Sequence, residues 1–282
     1  MEHQRFIEAC ETGDIQTLQL LDYSQINIHA GHEKAFRHAC FGGHLDVVKY
    51  LISLESDHGQ INIHAGDEDA FCNAIWYVGK QPDITMLLLS LEPTHGSINI
   101  HVCKEWLFRY VCGRGSMDGI KFLLRLEETH GHIDIHACDE GAFQLACKNG
   151  HIDIVKFLLS LEPERGYINI HADSEFAFCF ACYNGHLDIV KSLLTLEPSH
   201  GLINSHVDND FAFRNSNFHI KHILIRHDPK YNWKKVYGYK EYREELDQII
   251  DNLTTLHQKM IQFRTDILEL NVIGIVKEFL LG

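Results

Sequence analysis

The sequence predicts an all-α solenoid of stacked helix-turn-helix units with short β-like hairpin loops, followed by a C-terminal helical cap. Segments similar to INIHAGDEDAF start at residues 26, 61, 98, 133, 168 and 203, so the period is 35 residues with one unit of 37. Each unit then carries two apolar patterns with the 3.6-residue spacing of a helix. A fixed period in this range is typical of stacked repeats, in which every unit buries its apolar side against its neighbours.

The unit from Ile133 shows how one repeat is encoded. Its opening, IDIHACDE, is polar and β-like, and Glu140 begins a first helix, GAFQLACKNG, which Gly150 is expected to end. A second helix, IDIVKFLLSLE, follows, and PERG turns the chain into the next unit. Helical spacing predicts the buried residues of the first helix as Ala142, Phe143, Ala146 and Cys147, and those of the second as Ile154, Val155, Leu158, Leu159 and Leu161.

An acid occupies the start of the first helix in all six units. At that place a carboxylate is expected to accept hydrogen bonds from the free N–H groups of its own helix and to oppose the helix dipole. The acids are Glu33, Glu68, Glu105, Glu140, Glu175 and Asp210.

The composition excludes several classes of protein. The chain is 45% hydrophobic and 23% charged, which suits a folded protein, and its formal charge of -14 argues against a nucleic-acid partner. No window approaches the roughly 18 apolar residues of a membrane helix, and the N-terminus lacks the apolar region of a signal peptide. With nine cysteines whose repeat-related members are too far apart to pair, we expect a non-secreted, cytoplasmic protein without membrane association.

The turn and second helix resemble the ankyrin repeat. The matching segments are NGHIDIVKFLL at 149–159, NGHLDIVKSLL at 184–194 and GGHLDVVKYLI at 42–52. The first helix departs from the family's Thr-Pro-Leu-His-x-Ala, and the period exceeds the family's usual length of about 33 residues. In this form the repeat is similar to those of ankyrin proteins from giant, mimivirus-like DNA viruses that infect amoebae. The resemblance implies an ankyrin solenoid that binds other proteins through its concave face.

Two regions are predicted from where the repeat stops. Residues 1–227 form the ankyrin-repeat array, with an N-terminal helix pair at 1–25 and a degenerate unit from residue 203, and residues 228–282 form a helical C-terminal extension. Within the extension, apolar residues alternate at spacings of four and three, which indicates a helix that either folds back over the array or forms a homodimer through 242–267. This seam consists of Tyr242, Leu246, Ile249, Leu253, Leu256, Met260, Phe263 and Ile267.

One histidine is fixed in each unit, which raises the question of a metal site. Repeat helices pack about 10 Å apart, so equivalent histidines cannot share a zinc ion whose ligands lie about 2 Å away. We therefore favour structural hydrogen bonding over metal binding, and the resemblance adds asparaginyl hydroxylation as a third possibility. The histidines are His29, His64, His101, His136, His171 and His206. The turn histidines His44, His151 and His186 are interpreted as structural too.

The sequence contains no Gly-rich phosphate loop, nucleophile elbow or HExxH motif, and its carboxylates recur with the repeat period. We expect no catalytic residues, no cofactor and no metal, and interpret the protein as non-enzymatic.

A partner surface is predicted at positions 9, 12, 13 and 16 of each unit, counted from its first Ile, which we name the first-helix face. These positions should lie opposite the buried side of the first helix, and they are rich in aromatic residues, which dominate interface hot spots. Alternatively, several rings cover gaps between adjacent helices. The predicted partner-binding residues are Phe41, Trp76, Trp106, Tyr110, Phe176, Phe180, Tyr183 and Phe211.

Two functions follow as hypotheses. The first is a protein-protein interaction module that binds a protein partner, in a virus a host protein, through its concave face. The alternative is a self-associating structural or adaptor protein assembled through the C-terminal helix.

Overall fold

The computed structural model describes residues 2–75 and 83–228, together with Tyr231, Thr255, 258–260 and Gln262. The contacts within the chain divide it into two parts, Met1–Lys221 and His222–Gly282. The predicted C-terminal seam lies outside the described residues, apart from Met260.

The array is built of helices, as predicted, and none of the described residues forms a β-strand. The β-like segments are extended loops, and the predicted turn PERG contributes its first three residues to a short helix, Glu162–Arg165, which ends at Gly166. A 3-10 turn lies at Tyr23–Gln25. The helices are α1 (Glu2–Thr12), α2 (Ile15–Leu20), α3 (Ala30–Gly42), α4 (Leu45–Ser53), α5 (Glu55–His58), α6 (Ala65–Ile75), α7 (Asp83–His95), α8 (Val102–Arg114), α9 (Met117–His130), α10 (Ala137–Asn149), α11 (Ile152–Ser160), α12 (Glu162–Arg165), α13 (Ala172–Tyr183), α14 (Leu187–His200), α15 (Val207–Asn215) and α16 (Phe218–His227).

The first helices of successive units pack side by side in one row, from α1 through α3, α6, α8, α10 and α13 to α15. Each contributes a buried phenylalanine at the same place, and large-to-small changes at such sites cost about 3–5 kcal/mol. In the unit from Ile133 the predicted core is confirmed, except that Leu159 and Leu161 are only half-buried. The fully buried phenylalanines are Phe6, Phe36, Phe71, Phe108, Phe143 and Phe178.

The turn between the two helices of a unit is tied to the unit before it. Gly150 ends α10 in the left-handed conformation, with φ 84°, as predicted. The next residue, His151, donates from Nε2 to the carbonyl of Gly113 at 3.1 Å, and His186 donates likewise to Lys148 at 2.9 Å. The structural interpretation of the turn histidines is confirmed by these bonds.

The first helices of the six repeat units, α3, α6, α8, α10, α13 and α15, each contain a left-handed turn near their beginning, which was not predicted from the sequence. In α10 the residues Cys138, Asp139 and Glu140 have φ of 57°, 52° and 64°. The left-handed conformation costs an L-residue about 1–2 kcal/mol. Only two units begin this turn with glycine, at Gly31 and Gly66.

Side chains from position 12 stabilise this turn by donating to its carbonyls. Gln144 Nε2 lies 2.8 Å from the carbonyl of Asp139. Arg109 donates from Nε and Nη2 to two carbonyls of its own turn, each at 3.1 Å. At the same position, Cys72 and Cys179 are buried. The prediction that position 12 lies opposite the buried side of the first helix is therefore wrong for three units, in which Cys72, Gln144 and Cys179 are buried.

The fixed histidine and acid form a bridge from one unit to the next. His136 places Nδ1 2.9 Å from Glu140 Oε1 and Nε2 2.9 Å from the carbonyl of Arg165. The same Glu140 oxygen accepts from the backbone N–H of Asn169, in the following unit, at 3.0 Å. The histidine is therefore structural, as favoured, but the acid does not cap its own helix: its carboxylate is used between units.

This bridge recurs along the array. The distance from the carboxylate to the next unit's amide nitrogen is 3.0–3.1 Å in four of the five bridges and 3.5 Å from Glu105 to Asp134. The glutamates are 5–7% exposed, so a broken bridge would leave a buried charge. The acids and the residues that donate to them are Glu33 with Asn62, Glu68 with Asn99, Glu105 with Asp134, Glu140 with Asn169 and Glu175 with Asn204.

A second set of bridges links the ends of the second helices. Glu127 accepts from the N–H of Ile133 at 2.8 Å and from both terminal nitrogens of Arg165, at 2.7 and 2.6 Å. Burial alone would raise the pKa of Glu127, but the Arg165 guanidinium and the Ile133 amide outweigh it and lower the pKa. Histidines take the place of the arginine elsewhere, in the pairs Glu55–His95, Glu92–His130 and Glu162–His200.

We expect Glu140→Ala to lower the free energy of unfolding by about 3 kcal/mol, because it leaves the His136 ring and the Asn169 amide without their acceptor. Glu140→Gln keeps one acceptor oxygen and should cost about half as much. Urea unfolding followed by circular dichroism measures both. The exposed Glu164→Gln is the matched control, and an equal cost at Glu164 would contradict the bridge.

Removing a side chain from the left-handed turn should stabilise the array. We expect Cys138→Gly to raise the free energy of unfolding by about 0.5–1 kcal/mol, because glycine adopts positive φ without steric cost. Cys138→Ala, which keeps the Cβ atom, should give no gain. Thermal unfolding of the three proteins distinguishes these cases, and a gain for both variants would trace the effect to the thiol and not to the backbone.

The bridge should also weaken as pH rises. Burial alone lowers the pKa of His136, but the bonds to the Arg165 carbonyl and the Glu140 carboxylate outweigh it, and the pKa lies above the ordinary value of 6.5. A raised folded-state pKa gives stability that is fully present below pH 6.5 and is lost as pH rises through the folded value. The same direction holds for His29, His64, His101 and His171.

We therefore expect the stability difference between the natural protein and His136→Gln to be largest below pH 6.5 and to shrink as the pH rises through the raised pKa of His136. Urea unfolding at a series of pH values measures it. A difference that stays constant or grows with pH would contradict the prediction.

Candidate protein-binding face

Seven of the eight predicted partner-binding residues are described by the structure, and these seven lie on the first helices and are at least partly accessible. Phe41, Trp106 and Tyr183 are 62%, 40% and 53% exposed. Trp76 lies outside the described residues. The half-buried members of the set are Tyr110, Phe176, Phe180 and Phe211.

Four of these side chains form what we name the ring cluster: Phe176, Phe180, Tyr183 and Phe211. The rings of Phe176 and Phe180 stack with their centroids 4.2 Å apart, and those of Tyr183 and Phe211 stack at 5.8 Å. Phe180 also lies 5.8 Å from Phe211, which belongs to the next unit. The ring cluster is therefore continuous across two units, and the structure brings together residues that are up to 35 positions apart.

A second aromatic pair lies in the unit from Ile98. Trp106 and Tyr110 stack at 4.9 Å with an angle of 17° between their rings. Beside them, a Cβ atom on Gly141 would come within 2.7 Å of Arg109 Cδ. The glycine thus leaves room for the arginine stem to lie between the aromatic pair's helix and the next.

Lys148 joins the ring cluster from the neighbouring unit. Its Nζ lies 5.2 Å from the centroid of Phe180 and 5.9 Å from that of Phe176, which is a cation-π distance for both rings. Among the described residues, the ammonium group makes these ring contacts and no ion pair with a carboxylate. Lys148 stands at position 16 of its unit, and no role for it was predicted from the sequence.

The local charge of the first-helix face is opposite to that of the chain. The chain has a net charge of -14, yet positions 9, 12, 13 and 16 of the six units hold five basic residues and one acid. The acid, Asp69, is paired with Arg37 Nη1 at 2.5 Å. The overall charge of the chain does not reveal this local reversal. The basic residues are Lys34, Arg37, Arg109, Lys148 and Arg214.

The cysteines of this face are packing residues. Burial raises the pKa of Cys72 and of Cys179 to about 12, so both are neutral thiols near pH 7 and poor nucleophiles. All nine cysteines of the chain are free thiols. The face therefore offers aromatic rings, ammonium groups and guanidinium groups, which make non-covalent contacts with a partner.

No helix in the described part of the chain has the length and apolar character to cross a membrane. No three His, Cys, Asp or Glu side chains within the described ranges are arranged to hold a metal ion.

Comparison with known proteins agrees with this architecture. Residues 107–205 match the family model for ankyrin repeats in three copies. The crystal structure of the human ASB11 ankyrin repeat domain superposes with a TM-score of 0.52 at 18% sequence identity, and the match covers 79% of this chain and 97% of that one. No curated protein matches the sequence. The chain thus has the fold of an ankyrin-repeat domain, and residues 107–205 are similar in sequence to ankyrin repeats.

Proposed function

We propose that this protein is a non-enzymatic interaction module that binds a protein partner through the first-helix face. This face corresponds to the concave face of the ankyrin-repeat proteins that the sequence resembles. Ankyrin repeats in general mediate protein-protein interaction. The proposed contact residues are Phe41, Trp76, Trp106, Tyr110, Phe176, Phe180, Tyr183 and Phe211.

The observation that carries this proposal is the ring cluster. Its rings already contact one another across two units, yet Tyr183 keeps 53% of its surface accessible. An assembled, rigid aromatic surface binds at little entropic cost, since its side chains are ordered before the partner arrives.

The ring cluster also addresses the alternative that the aromatic residues only cover gaps between helices. The core phenylalanines beneath, such as Phe178, are fully buried and fill the space between helices. Phe41 and Trp106 remain 62% and 40% exposed, so covering a gap does not account for them.

The resemblance to ankyrin proteins of giant DNA viruses supports a host protein as partner and an intracellular site of action. In this proposal neither a membrane nor a nucleic acid is the target.

The test is affinity capture from amoebal lysate with the full chain as bait, followed by binding measurements on the captured protein. The variant carries Trp106→Ser, Phe180→Ser and Tyr183→Ser. Because one hot-spot aromatic contributes about 2 kcal/mol or more, we expect at least a roughly 30-fold increase in Kd.

A matched control removes three exposed apolar side chains away from this face, with Leu20→Ser, Tyr167→Ser and Leu202→Ser. We expect the control to bind like the natural protein. Equal losses for both variants would contradict the proposed face. Light scattering of the same samples reports self-association, since a homodimer has twice the 32.5 kDa of the chain.

A further inference from the structure

We infer that the first-helix face of the units from Ile98 to Ile203 binds an acidic segment of its partner, in which a carboxylate stands next to an aromatic or large aliphatic side chain. The apolar side chain packs on the ring cluster and the carboxylate pairs with Lys148. This inference rests on the proposed function and adds the chemistry of the partner.

The acids of these units stand away from the first-helix face. Residues 98–227 contain sixteen acids, and none of them stands at position 9, 12, 13 or 16 of its unit. Several are consumed in the bridges between units, as Glu140 and Glu127 are. The face of these units keeps Arg109, Lys148 and Arg214, so it is locally positive and complementary to a carboxylate.

Lys148 differs in its contacts from the other two basic side chains of this face. Two of the three basic groups are already engaged, because Arg109 and Arg214 donate to carbonyls of their own left-handed turns. The Lys148 ammonium instead lies over the rings of Phe176 and Phe180. A carboxylate forms a charge-assisted hydrogen bond with an ammonium group, which is stronger than its contact with a ring face. A partner carboxylate beside the ring cluster would therefore capture this group.

The position of the charged side chains along the first helices indicates where the partner's acidic residue binds. Three exposed acids of these units, Asp139, Asp173 and Asp208, lie in the left-handed turns at the beginning of the first helices. Lys148 lies near the other end of α10, about 12 Å farther along the axis at 1.5 Å per residue. The turns repel a carboxylate and Lys148 attracts it, so the acidic residue of the partner sits toward the ends of the first helices.

The experiment pans a display library of random dodecapeptides on the full chain and on two variants. Lys148→Glu reverses the charge beside the ring cluster. Lys156→Glu makes the same change on an exposed lysine of α11 and is the matched control. The buffer contains about 0.15 M salt, where the Debye length of about 8 Å screens the net negative charge of the chain and leaves short-range pairing in place.

We expect peptides selected on the natural protein to be enriched in Asp or Glu near an aromatic or large aliphatic residue. The Lys148→Glu pool should shift to Lys and Arg, and the Lys156→Glu pool should match the natural one. Enrichment of Lys and Arg on the natural protein would overturn the inference, as would a Lys148→Glu pool with unchanged charge.

A selected peptide then allows a double-mutant cycle. Replacing its acid by the amide should weaken binding to the natural protein about five- to tenfold and change binding to Lys148→Met by less than about twofold. Equal losses on both proteins would overturn the pairing with Lys148. A labelled oligo-uridine 12-mer is the nucleic-acid arm, and Lys148-dependent binding of it in preference to the peptides would also overturn the inference.

Failure of the inference and failure of the proposed function give different results. If no peptide is selected in a manner that depends on Phe180 and Tyr183, but the partner captured from lysate is still lost with the aromatic variant, the acidic segment is wrong and the interaction face stands. If the aromatic variant retains the captured partner, the proposed face itself is wrong.

Discussion

The stack depends on one buried carboxylate in each of the first five units, held by a histidine of its own unit and by an amide of the next. Apolar burial supplies most of the free energy of folding but fixes register weakly, because neighbouring apolar surfaces tolerate small shifts. The bond from Glu140 to the Asn169 amide forms at one register only. The left-handed turn follows from the same need, since it places the carboxylate at the boundary between units. Its strain is offset by the bridge and by side chains such as Gln144 that donate to the turn.

This use of acids shapes the surface as well as the interior. An acidic composition alone would predict glutamates on every face of the protein. In this chain they are concentrated where units meet. The first-helix face is left with aromatic and basic side chains. Because these side chains contribute little to the packing between units, they vary from unit to unit. Position 16 reads Phe41 in one unit and Lys148 in another, while the phenylalanine at the core position does not change.

Much of the fold could be predicted from the sequence because its causes are local. Helical spacing gave Phe143 and Val155 as core, and Gly150 as the end of α10. The role of Glu140 was missed because its partner lies 29 residues away, although an acid in the same place in every unit was a signal. The left-handed turn was not predicted because Cys138 and Asp139, unlike glycine, are not residue types that indicate positive φ. The candidate face was predicted in its aromatic residues, and its basic character was not, since charge was judged over the whole chain.

The bridges run in one direction, from each acid to the unit that follows it, and this makes the repeat a modular element in the evolutionary sense. A duplicated or deleted whole unit restores every bridge at its new boundary, whereas a fractional change leaves a carboxylate facing no amide. In the unit from Ile203, which no further INIH segment follows, the acid is Asp210, shorter by one methylene, and it pairs with His206 of its own unit. Array length can therefore drift by whole units, independently of the surface that each unit carries.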